Sequence, residues 1–206
     1  MSWQLRAVGY ANTPLAAELP ANFGVLSLNN LAALVEQTTA DYNLTDWQNL
    51  RRYQKAINLW WQSGKNPLLP FQAGANFATL AEIAGYIRAN SASFEEKLVK
   101  FENKLELGAR FPLEPQTQMV ATGGGKAYMQ KLRQKYAATG NSGLAVEETI
   151  KVLAGSALAC EYSPGINFVK VAFLLEREQT ASFRYALENC GKTAIITGVF
   201  PPFSFV

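Results

Sequence analysis

The sequence predicts an α+β protein built from two adjacent units, and three observations carry that reading. Strand-like and helix-like stretches are both plentiful, yet they never settle into the strand–helix alternation of a doubly wound parallel sheet. The first half reads as three strands, a helix, a strand and two helices, and the second as strand, helix, helix, strand, helix, strand. The boundary between the halves falls near residues 105 to 112, and just beyond it Pro112 to Gly125 is a linker-like segment carrying Pro112, Pro115 and Gly123-Gly124-Gly125. The expected units are residues 1–105 and residues 106–206, and a chain of 206 residues is long enough to bury a core in each.

In the first unit, Trp3 to Tyr10 alternates as a strand, with Trp3 and Leu5 on one face and Gln4 and Arg6 on the other. Asn12 to Asn22, with Pro14 and Pro20, reads as a loop. Phe23 to Leu28 and Leu31 to Gln37 flank Asn29-Asn30, and asparagine tolerates the positive φ that a tight hairpin needs. Thr45 and Gln48 form a capping box ahead of an amphipathic helix whose apolar face holds Trp47, Leu50, Tyr53, Ile57, Trp60 and Trp61. The simplest use of that aromatic face is core packing. Asn66 to Phe77 is short and apolar, and Pro70 confines any strand there to an edge or an end. Two further helices follow, with capping boxes Thr79/Glu82 and Ser93/Glu96.

The second unit opens with a short strand from Glu106 to Phe111. A basic helix is expected from Lys126 to Thr139, and a more apolar one from Leu144 to Tyr162. Ile166 to Leu175 is almost continuously apolar, as a strand covered on both faces would be. A helix from Glu176 to Cys190 puts Phe183, Leu187 and Cys190 in register, and a strand from Thr193 to Thr197 leads into the last residues.

Composition removes whole classes of chemistry. There is no histidine, so Ser-His and Cys-His nucleophile pairs, His-ligated zinc and imidazole acid/base catalysis are excluded. Cys160 and Cys190 match no metal spacing and read as buried reduced thiols. No run approaches the roughly 18 apolar residues of a membrane span, and the N-terminus has no signal-peptide pattern, so a cytoplasmic protein without a membrane partner is expected. The net charge of +3 lies wholly beyond Glu114 and is too mild to imply a nucleic-acid partner.

Two stretches invite a chemical reading. Gly123-Gly124-Gly125-Lys126 precedes a helix, as phosphate-binding loops do, but Val120 and Ala127 both break the P-loop pattern, and a linker explains it better. Lys126, Lys131, Arg133 and Lys135 form a basic cluster interleaved with Tyr128 and Tyr136, a loose RNA-binding pattern that a solvated helix face also produces. Nucleotide or RNA binding through these residues is the alternative reading. Glu95-Glu96 and Glu147-Glu148 are adjacent pairs whose members diverge on a helix, so neither forms a catalytic dyad. No catalytic, cofactor or metal residue is expected, and no enzyme activity.

The unusual stretch is the last one. Phe200, Pro201, Pro202, Phe203, Phe205 and Val206 make an apolar, proline-stiffened, extended tail where chain ends are commonly polar and frayed. Such a tail must be tied down, either as the cover of the second unit's core or as a contact surface for a partner; closing that core is the expected role.

Thr197-Gly198-Val199-Phe200-Pro201-Pro202-Phe203-Ser204-Phe205-Val206 resembles the terminal signature of the gas vesicle protein F/L family, which reads Thr-Gly-Pro-Trp-Pro-Pro-Tyr-Ser-Phe-Val. Other segments fall in the family's order. Leu69-Pro70-Phe71-Gln72-Ala73-Gly74 resembles its Leu-Pro-Val-Arg-Phe-Gly, Glu106-Leu107-Gly108 its Glu-Trp-Gly, and Gly125-Lys126-Ala127-Tyr128-Met129 its Gly-x-Ala-Tyr-Leu. Gln72 and Ala73 stand in place of Arg-Phe, and Val199 and Phe200 in place of Pro-Trp. The resemblance implies two consecutive ferredoxin-like domains with mostly antiparallel sheets. It also implies an accessory role in gas vesicle formation, with no cofactor. The implied partners are the small apolar major shell protein and other gas vesicle accessory proteins, met during nucleation or assembly, and some members have been proposed as minor shell components.

Overall fold

The computed structural model describes residues 2–12, 19–39, 46–64, 67–71, 76–113, 144–165 and 167–206. It contains two antiparallel α+β layers in sequence. By internal contacts the chain divides into one unit of Met1–Glu106 with Phe200–Val206, and a second of Leu107–Val199.

The first unit is organised on β1 (Ser2–Tyr10), β2 (Phe23–Leu28), β3 (Leu31–Thr38), β4 (Leu68–Pro70) and β5 (Asn76–Phe77). The sheet order is β2-β3-β1-β4, with β5 also pairing to β1 further along the same strand. Asn29 turns the β2–β3 hairpin at φ 50°, closing it with Leu28 opposite Leu31. Pro70 ends β4, where its missing N–H interrupts no ladder. Residues 31–36 of β3 are all buried, so the sheet is covered on both faces.

Helix α1 (Trp47–Gly64) meets β1 with Tyr53, Ala56, Ile57, Trp60 and Trp61, the i, i+3, i+4, i+7, i+8 stripe of a core-facing helix. Each large side chain on that stripe contributes about 1.5–3 kcal/mol by leaving water. Gly9 allows the close approach, because a Cβ there would meet Leu68 at 3.1 Å and the Trp60 ring at 3.3 Å. Trp47, expected on the buried face, is 65% exposed at the helix start, with the Arg51 guanidinium 5.7 Å above its ring. The cap among the described residues is Asp46, whose carboxylate accepts the Gln48 N–H at 2.7 Å; Thr45 lies outside them.

Helices α2 (Leu80–Ala89) and α3 (Ser91–Lys100) follow without a loop. Thr79 caps α2 as expected, accepting from Glu82 N–H at 3.2 Å, while Glu82 reaches back to Ala78 N–H. The Ser93/Glu96 box does not form, because α3 begins earlier. Asn90 ends α2 with its amide on the Tyr86 carbonyl and starts α3 by accepting Phe94 N–H, which places Ser93 inside the helix.

The second sheet holds β6 (Lys104–Pro112), β7 (Ala159–Pro164), β8 (Phe168–Glu176) and β9 (Ile195–Phe200), in the order β7-β8-β6-β9. Counted within each unit, both sheets run 2-3-1-4, the order of a ferredoxin-like sheet. Among the described residues the second unit reads strand, helix, strand, strand, helix, strand. Its helices are α4 (144–154) and α5 (Thr180–Glu188), the latter preceded by a 3-10 turn at Arg177–Gln179. Val146, Ile150 and Leu153 of α4 are buried, as are Phe183 and Leu187 of α5, and Phe183 sits 4.9 Å from the Phe173 ring of β8.

The apolar helix expected to run to Tyr162 stops at residue 154. Gly155 and Ser156 turn the chain, and residues 159–164 pair with β8 as the sheet's outer strand. An alanine-rich run satisfies both periodicities, and the neighbouring β8 decides between them. Cys160 and Cys190 are free and only half-buried, less enclosed than expected. The glycine-lysine segment at 123–126 and the stretch expected as a basic helix, 126–139, lie outside the described residues.

The tail differs most from expectation. Residues 200–206 fall with the first unit, not with the second. β9 also extends to Phe200, taking residues the sequence assigns to the tail.

Candidate functional site

The tail is seated in the first unit by polar and aromatic contacts built from three elements. Pro201 and Pro202 are buried, Phe200, Phe203 and Phe205 are half-buried, and Ser204 and Val206 face solvent. Prolines fix the extended approach, and two short turns then fold the end: Phe203 N–H donates to the Pro201 carbonyl at 2.6 Å and Phe205 N–H to the Pro202 carbonyl at 3.2 Å.

Glu106, at the head of β6, receives the tail. Its carboxylate accepts the Ser204 N–H on Oε2 at 2.7 Å and the Ser204 hydroxyl on Oε1 at 3.0 Å. Glu106 is 7% exposed. Burial pushes its carboxyl up from the ordinary value, and the two Ser204 hydrogen bonds, which favour the ionised form, pull it partly back.

Tyr53 of α1 supplies the aromatic wall. Its ring meets Phe203 edge-to-face, with centroids 6.3 Å apart and planes at 67°. The ring is held independently of the tail. Its hydroxyl donates to the Phe71 carbonyl at 3.0 Å, and the Arg6 guanidinium lies 5.3 Å from its centroid. Arg6 in turn is paired with Glu36, Nη2 to Oε2 at 2.6 Å and Nε to Oε2 at 2.8 Å, with the two side chains 0% and 2% exposed.

Arg6 reaches this position through a β-bulge. Leu5 pairs with Val35 and Ala7 with Leu34, leaving Arg6 as the extra residue, and such a bulge re-aims a side chain. Strict alternation puts Arg6 on a face with Gln4, whereas the structure buries it completely. Sequence reasoning missed Arg6, Glu36 and Tyr53 as parts of one arrangement. The available signal was a lone arginine in one apolar strand and a lone glutamate in the next, since buried charges come paired.

Three segments that carry the family resemblance meet here. Glu106 binds Ser204 of the terminal signature, and Phe71 of the Leu69 segment accepts from Tyr53, which meets Phe203 of the tail edge-to-face. The arrangement can grip a peptide. No group of three or more metal-ligating side chains occurs among the described residues, and none of their helices is long and apolar enough to cross a membrane. A separate surface groove of about 640 Å³ is lined by Tyr10, Asn12, Asn29, Glu95 and Glu102, among others; burial and then the two carboxylates raise the Tyr10 phenol.

The family model described as gas vesicle synthesis protein GvpL/GvpF matches residues 12–206. Among solved structures, the chain is similar to the gas vesicle protein GvpF from Anabaena sp. PCC7120, with a TM-score of 0.75, 13% identity, and coverage of 99% of this chain and 95% of that one. It is also similar to GvpF from Microcystis aeruginosa, with a TM-score of 0.69, 13% identity, and coverage of 99% and 98%. No curated protein matches. At that identity the two structures establish the fold, and the family match over nearly the whole chain establishes the kinship. This chain is a member of the GvpL/GvpF family of gas vesicle synthesis proteins.

Proposed function

We propose that the protein is a non-catalytic accessory factor in gas vesicle formation. It binds the small apolar shell protein, together with other accessory proteins, during nucleation or assembly. The observation that carries the proposal is the family match over residues 12–206.

The surface chemistry supports it. An apolar subunit that must not aggregate before assembly exposes strand edges and apolar area, and a partner can cover them by adding a strand. β2, at the edge of the first sheet, reads Phe-Gly-Val-Leu-Ser-Leu with no charge, and most of it is half-buried. Edge strands commonly carry a charge or a proline that discourages pairing, and β2 carries neither.

The test is co-expression of the full chain with the shell protein, followed by capture of the tagged chain. Stable retention is expected, with retention reduced in Val25→Lys. If the folded full chain retains no shell protein at low and at moderate salt, the assembly reading fails.

A further inference from the structure

We propose that the seat holding residues 201–206 is an exchangeable peptide site, and that its second ligand is the same tail from another copy of this chain. This goes beyond shell-protein binding and does not depend on it.

The aromatic wall of the seat is prepared without its ligand. Tyr53 is fixed by the Phe71 carbonyl and by Arg6, and Arg6 by Glu36; none of these contacts uses the tail. The ligand is equally self-contained. Its groups are a backbone N–H, one hydroxyl, one aromatic edge and two prolines of fixed φ, and its own two turns close on the Pro201 and Pro202 carbonyls, so less conformational freedom is lost on docking.

Supply in cis and in trans differ only in concentration. A short tether gives an effective concentration on the order of millimolar, so an isolated copy keeps its own tail. Where copies are crowded to similar concentrations, the tail of one reaches the seat of another, which is domain swapping through an identical element.

The experiment uses the full chain with a protease recognition sequence placed between Phe200 and Pro201. The protein folds intact, is cut, and is then mixed with a fluorescent peptide of residues 200–206. The cut chain is expected to stay folded and to take up the peptide saturably. A peptide carrying Phe203→Ala should bind about ten-fold more weakly and one carrying Ser204→Ala about five-fold more weakly. Three results would overturn the proposal: a cut chain that unfolds, a folded cut chain that takes up no peptide even in excess, or equal binding of a scrambled peptide.

Discussion

Glu106 accepts both the amide and the hydroxyl of Ser204 across a sequence separation of 98 residues. The pair places a carboxylate out of water and gives it two donors, so its ionisation and the seating of the tail are linked. A carboxyl raised by burial contributes stability that is present below the ordinary carboxylate pKa and lost as pH rises through the folded value. The Ser204 bonds oppose that loss because they favour the charged form. Ser204→Ala should therefore cost about 1 kcal/mol at pH 8 and less near pH 4. Thermal melts of both proteins across this range check it, and a difference that does not change with pH would contradict the linkage.

Removing residues 201–206 uncovers Tyr53 and strips Glu106 of its donors. Hydrogen exchange should rise within residues 2–106 of the truncated chain and stay unchanged over 107–199. Loss of protection centred on α5 and β8 instead would mean that the tail closes the second core.

The Arg6–Glu36 pair is sealed from water, so removing one partner takes a close counter-charge from the other. Glu36→Ala should destabilise by about 3–5 kcal/mol in urea titrations. The double change Arg6→Met with Glu36→Leu should recover most of that loss, since an apolar pair of similar volume serves about as well in a buried site. Additive losses in the double variant would argue against the pairing.

Asn29 turns the first hairpin in the left-handed region. Asn29→Gly should be close to neutral, whereas Asn29→Val should cost about 1–2 kcal/mol, because a branched Cβ clashes with the backbone there. Urea midpoints of the two variants settle the sign.

The parts of this fold that were legible in the sequence are those set by local pattern. The Asn29-Asn30 turn, the Tyr53 to Trp61 stripe and the Thr79/Glu82 cap each involve residues within a few positions of one another, and each forms. Legibility ends where a distant partner decides. The run around Ala159 is a strand because β8 lies beside it, and Arg6 is buried because a bulge turns it toward Glu36. The tail was recognisable as apolar and stiff. Which core it covers was not, since nothing in its own residues distinguishes Tyr53 from the aromatic rings of the second unit. Glu106 was legible as the start of a strand and through the family resemblance, not as what it proves to be, the tail's main polar anchor.

The placement of residues 200–206 in the first unit also sets an order of events during synthesis. The ribosome must release all of Leu107–Val199 before the segment that completes Met1–Glu106 exists. At ordinary elongation rates that interval is on the order of ten seconds, far longer than a small domain needs to collapse. Each newly made copy thus spends its first moments with Tyr53 and Glu106 lacking the contacts that residues 203 and 204 later supply.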